Sequence, residues 1–310
     1  MTIDNVVNLL AVLTLIEMMI TTGLGVEFFA VLKVARRWRL VARALVANYL
    51  LVPAGAVVLL LLFNASPMIA AGFLIAAVCP GAPYGPPFTS MARGNVPLAV
   101  GLMVILAGSS AVLAPLLLGL LVPLVAGSAE LNINILKMVI TLLGAQLLPL
   151  GLGLLLRAQR PNLAERLKTP ASRLSLWLNL ITLAVVFVAQ FRMLAEIRLR
   201  GYFGMLCLVL LCLAIGWFMG RRRDDSVKGM VITTSVRNVG VSLVIASASF
   251  PGTAAISSAT AYALFQTLVI AGLASAWGRL TPGGMTLIKT RDRIRRPEKV
   301  RTSGWVSAGH

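Results

Sequence analysis

Residues 67–94 read PMIAAGFLIAAVCPGAPYGPPFTSMARG, and the fold turns on the middle of that stretch. Pro80, Gly81, Pro83, Gly85, Pro86 and Pro87 interrupt an apolar run. Proline removes a backbone donor and its ring clashes with the preceding helical turn. No continuous helix crosses CPGAPYGPP. The whole stretch is nevertheless long enough to cross a bilayer, which takes roughly 20 mostly apolar residues. Unwound backbone at that depth survives only where protein or a water-filled cavity satisfies its polar groups.

The rest of the chain provides such surroundings. Of 310 residues, 58% are hydrophobic and 12% charged, against about 45–50% and about 25% in soluble domains. Nine candidate spans follow, at about 5–29, 41–63, 67–92, 95–123, 133–156, 174–196, 202–220, 228–250 and 254–278. The first lacks a basic leader region and a small-residue cleavage site, so it reads as a span and not a signal peptide. The expected fold is an all-α polytopic membrane protein, with a transmembrane domain over 1–280 and a basic cytoplasmic tail over 281–310.

The net charge of +18 does not indicate nucleic acid, because the basic residues sit in short loops. Loops 30–43, 157–173 and 221–228, Arg93 and the segment from Arg279 onward lie on one side. Lys137, Arg192, Arg198 and Arg200 lie on the other. The positive-inside rule then puts the N-terminus outside and the C-terminus in the cytoplasm, in an inner (plasma) membrane. Cys79, Cys207 and Cys212 all fall within spans and read as packing residues. The only histidine is His310. No metal motif, cofactor motif or nucleophile–base pair appears, so neither a cofactor nor enzymatic activity is expected.

Span eight contains VITTSVRNVGVSLVIASASF, Val231–Phe250. Arg237 lies mid-span, and a guanidinium keeps its proton and is costly at bilayer depth. Thr233, Thr234, Ser235, Asn238 and Gly240 around it suggest a second, softer interruption. Spans 1–4 and 6–9 run in opposite directions, and the interrupted span is third in each set. Matching interruptions in inverted halves point to a transporter binding site. The repeats are placed at about 1–123 and 133–278, with span five unpaired.

The stretch CPGAPYGPPFTSMARGNVPLAVGLMV resembles the crossover helix of the bile acid:sodium symporter family, which commonly carries CPGG, a Ser-Asn pair and ARGN. TTSVRNVGVSLVIASASF is similar to the second crossover helix, and VANYLLVP to the segment before the first. The resemblance covers nearly the whole chain, apart from an N-terminal helix that only some members have. It implies a panel domain, a core domain with two crossing broken helices, and transport of organic anions with sodium.

This chain departs from the family at the implied ion ligands. The Ser-Asn pair falls on Gly85 and Pro86, and downstream hydroxyl ligands fall near Ala99 and Met103. The shared glutamate falls on Thr233, the glutamine on Arg237, and the glutamine of the preceding helix on Asn48. A hard cation takes about five or six oxygen ligands, as other hard ions do. Neither sodium site is expected to form.

The leading reading is therefore a secondary carrier of a small organic anion, embedded in the bilayer and not coupled to sodium. Arg237 would stand in for the ion and attract the substrate, with Thr233, Thr234, Ser235, Asn48 and Asn238 completing the hydrogen bonding. The bland alternative makes Arg237 a strut bonded to carbonyls freed by the breaks. Glu17, mid-span in LTLIEMMITTGLG, could be a counter-ion for Arg237, a proton-coupling site or a carboxyl hydrogen-bonded inside the bundle. Competing functions are a sodium symporter with rearranged ligands and, in another class, a sensor or channel. The substrate, coupling ion and oligomeric state are left open.

Overall fold

A computed structural model describes residues 3–126, 134–195, 197, 199–220 and 226–280. The basic tail over 281–310, with His310, lies outside the described residues, as do Arg198, Arg221, Arg222 and Arg223. In chain order the helices are α1 (Ile3–Gly25), α2 (Phe28–Ala35), α3 (Trp38–Val46), α4 (Val52–Leu62), α5 (Pro67–Val78), α6 (Gly85–Met91), α7 (Val96–Ala126) and α8 (Ile135–Leu142). They continue as α9 (Leu148–Gln159), α10 (Pro161–Ala189), α11 (Phe191–Ala195), α12 (Leu199–Met219), α13 (Val227–Ser235), α14 (Val239–Ser249) and α15 (Ala254–Leu280). Among the described residues there is no strand.

Among the described residues, eight stretches are long and apolar enough to cross a membrane. The difference from the nine expected spans lies at 67–92. There α5 stops at Val78 and α6 starts at Gly85, so neither piece spans alone. The prolines dictate the stop. Gly81 turns the chain with a φ of 82°, a conformation open to glycine without penalty. A Cβ there would also collide with the Ala107 backbone of α7.

Two other boundaries moved. α1 ends at Gly25, and Glu27 stands just before α2. The expected loop 157–173 is largely helical, because α10 begins at Pro161. Proline suits the first helical turn, where its missing donor costs nothing. Pro53 and Pro149 each come shortly after a π-helical turn, Ala47–Leu51 and Leu143–Leu147. Pro115 sits inside continuous α7. A widened turn accommodates irregular backbone bonding ahead of a proline.

Packing separates centre from rim. In the most apolar window of Val227–Ser249, 89% of residues are buried, against 11% for Pro161–Ala189. α13 and α14 therefore run through the middle of the bundle, and α10 lines its edge. α5 packs on α7 and α15, and α13 on α12. Gly72 permits the α5–α15 contact, since a Cβ would strike Ala255 and Ser258. α1 packs on α9 and α10, and its other face meets α14.

Candidate functional site

The two interruptions meet. α13 ends at Ser235 and α14 starts at Val239, so residues 236–238 cross the core unwound. The Asn238 N–H donates to Cys79 O (2.8 Å), and Asn238 Nδ2 to Gly81 O (3.4 Å). Both acceptors lie in the break between α5 and α6. Asn238 Oδ1 also accepts from Val241 N (3.2 Å), capping α14. Asparagine is favoured at a helix start because its side chain supplies this acceptor.

Arg237 is 1% exposed. Its Nη1 donates to Ala77 O (3.2 Å) in the last turn of α5. Nη2 donates to Thr234 O in the last turn of α13, and reaches Cys212 Sγ of α12 at 3.9 Å. The last carbonyls of a helix lack intrahelical partners, and that end carries partial negative charge. One guanidinium thus serves the C-terminal ends of both broken helices. Its charge has no carboxylate within 4 Å among the described residues.

The backbone of the break has its own partner. Gln266 of α15 accepts from the Arg237 N–H through Oε1 (3.1 Å) and donates through Nε2 to Arg237 O (3.2 Å). A side-chain amide thereby replaces the helical bonds that the interruption removes. Sequence reading missed Gln266. The signal was a single amide in the apolar run AYALFQTLVI.

Other expected residues are distributed unevenly. The Thr233 methyl faces Gly85 of the opposite break, 3.6 Å from where a Cβ would stand. Its hydroxyl turns back to Gly229 O (2.6 Å). Ser235 Oγ likewise donates to Val231 O (2.7 Å) in its own helix. Asn48, in the π-helical turn, donates to Ala44 O (2.8 Å) and makes no hydrogen bond to Arg237. Gly85 and Pro86 are buried at the start of α6. Arg237 Nε, Thr234 Oγ1 and Asn48 Oδ1 are buried without a hydrogen-bond partner.

Glu17 stands apart from this group. Thr21 Oγ1 donates to its Oε1 (2.6 Å), and Ser175 Oγ of α10 donates to its Oε2.

A cavity of about 240 Å³ lies between α8 and the C-terminal half of α14. Lys137, Thr141 and Ser249 give it polar wall, and Met138, Leu142 and Ile245 apolar wall.

The sequence model of the Sodium Bile acid symporter family matches residues 12–197, more than half of the chain. The match takes in the first broken helix and stops short of the second. No curated protein matches the chain.

Proposed function

The chain belongs to the Sodium Bile acid symporter family, and from that premise we propose a secondary carrier for a small organic anion in which Arg237 replaces the coupling sodium. One observation carries the reading: the guanidinium bridges Ala77 O and Thr234 O, at the C-terminal ends of two broken helices. In transporters built on discontinuous helices, such ends hold the driving cation. A covalently fixed cation there satisfies the same carbonyls and cannot dissociate. It also leaves a positive charge in the core, which an anionic substrate would balance on entering.

The departures at the implied ion ligands agree with this. Thr233 and Gly85 adjoin each other across the breaks and offer no carboxylate. The Thr233 hydroxyl is already engaged with Gly229 O. Access would run through the cavity between α8 and α14, where Lys137 draws anions and the apolar wall accepts an organic body. Alternation would move α1, α9 and α10 as a panel against the helices around the breaks. With the C-terminus in the cytoplasm, the cavity would face outward and the breaks would lie at mid-membrane.

The test is thermal stabilisation of purified protein by a panel of carboxylates and sulfonates, with sodium or with choline as the only cation. Stabilisation that is equal in the two media supports a sodium-independent carrier. Stabilisation that requires sodium overturns it in favour of a symporter with rearranged ligands. The double variant Thr233→Glu with Arg237→Gln sharpens the result, because it restores a carboxylate and removes the fixed cation. Sodium then becomes stabilising if Arg237 stands in for it. A folded double variant indifferent to sodium refutes the substitution.

A further inference from the structure

Arg237 has a function in the reading above, but Glu17 does not. It lies midway along α1 and is half-buried. A charged carboxylate at bilayer depth is expensive unless paired. Among the described residues no lysine or arginine comes within 4 Å of it.

Charged groups on the packed elements are committed elsewhere or lie away from it. On α9, Arg157 pairs with Glu165 and faces Glu27 (3.8 Å). On α10, the Lys168 stem reaches Gly25, two turns beyond Glu17, while its ammonium lies 3.8 Å from Glu165. Arg166 and Arg173 of α10 are exposed. α14 carries no titratable residue. Among the described residues, the remaining titratable neighbour is Tyr84 in the first break, whose hydroxyl points to Met18 Sδ (3.7 Å).

The partners of Glu17 are two hydroxyls, Thr21 and Ser175. A hydroxyl can donate or accept by rotating about its C–O bond, whereas an ammonium or guanidinium only donates. An all-hydroxyl shell therefore serves the carboxylate and the carboxylic acid equally well. A lysine or arginine partner would have locked the ionised form.

The same corner touches the moving part. Met18, next in sequence to Glu17, receives the Tyr84 hydroxyl. Asn179, one turn beyond Ser175 on α10, stands near that hydroxyl. The state of Glu17 is thus set within one helical turn of the contact between α1, α10 and the broken helix.

We propose that Glu17 is a proton-binding site through which this carrier uses the proton gradient. The inference rests on the carrier reading. A proton adds to one carboxylate oxygen, and the hydroxyl that had donated to that oxygen turns to accept. No other bond changes. The proton is released when the corner opens to the opposite side, so proton and anion cross together.

Two measurements on full-length protein in lipid decide it. The first follows the infrared band of protonated carboxyl groups while pH is varied, with no anion added. Wild type gains a band on acidification, Glu17→Gln lacks it, and Glu17→Asp shows it displaced. A wild type without a titrating band that Glu17→Gln removes overturns the proposal, as does a band that responds to sodium and not to pH.

The second measurement uses liposomes with a trapped pH dye, to which the same carboxylates and sulfonates are added. Anion-driven proton influx falls in Glu17→Gln to the level of protein-free liposomes, while anion stabilisation persists. Loss of both makes Glu17 part of the binding scaffold and overturns the coupling role. If no anion stabilises wild type, the carrier reading falls first and the coupling role with it, whatever the infrared spectra show.

Discussion

The protein holds two ionisable side chains within its spans, Arg237 and Glu17, and surrounds them in opposite ways. Arg237 sits at the centre, 1% exposed, with its donors fixed on carbonyls of α5 and α13. Glu17 sits toward the rim, half-buried, among hydroxyls that can reverse their hydrogen bonds. The carbonyls need a donor at all times, because a buried unpaired acceptor is costly. The hydroxyls impose no such demand. A permanent charge is thus suited to structure, and a removable one to coupling.

Breaking the central site has the largest expected effect. Arg237→Ala strands Ala77 O and Thr234 O and lowers stability by about 3 kcal/mol, read as a fall in the thermal midpoint in detergent. Arg237→Lys keeps the charge but loses the planar fork that reaches two helix ends. It recovers about half of the loss. If Ala and Lys behave alike, charge contributes nothing at this position and the stand-in for sodium fails.

Gln266→Leu comes next. It removes both bonds to the Arg237 backbone and costs about 2 kcal/mol, by the same measurement. A neutral outcome would mean that residues 236–238 do not depend on α15.

The rim should respond less. Thr14 and Thr182 share a hydrogen bond of 2.7 Å between α1 and α10, and Thr14→Val costs about 0.6 kcal/mol, the usual value for such bonds in membranes. Glu17→Gln is the smallest, within about 0.5 kcal/mol of wild type, because the amide keeps the volume and an acceptor. A large loss there would make Glu17 a structural residue and erase the contrast with Arg237.

The first break was legible because proline chemistry is local: CPGAPYGPP cannot be helical in any surroundings. The second was only half legible. TTSVRN tolerates a helix, and what ends α13 is the pull of Cys79 O and Gln266 on the backbone of residues 237–238. Asn48 and Arg237 fall on ion-ligand positions in the family resemblance, yet they share no hydrogen bond. The π-helical turn at 47–51 directs the Asn48 amide to Ala44 O. The start of α10 at Pro161 was missed because a polar helical extension resembles a loop when hydropathy alone is read.

The sequence by itself determined the membrane class, the helical fold, the first interruption and the presence of two ionisable side chains within spans. Apolar run length and proline content act within a single segment, so they can be read without coordinates. Tertiary structure alone decided that the breaks meet, that Gln266 clamps one of them, and that Arg237 and Glu17 are separate sites. Those outcomes depend on which carbonyls and hydroxyls other helices bring within hydrogen-bond reach, a distance that spacing along the chain does not encode.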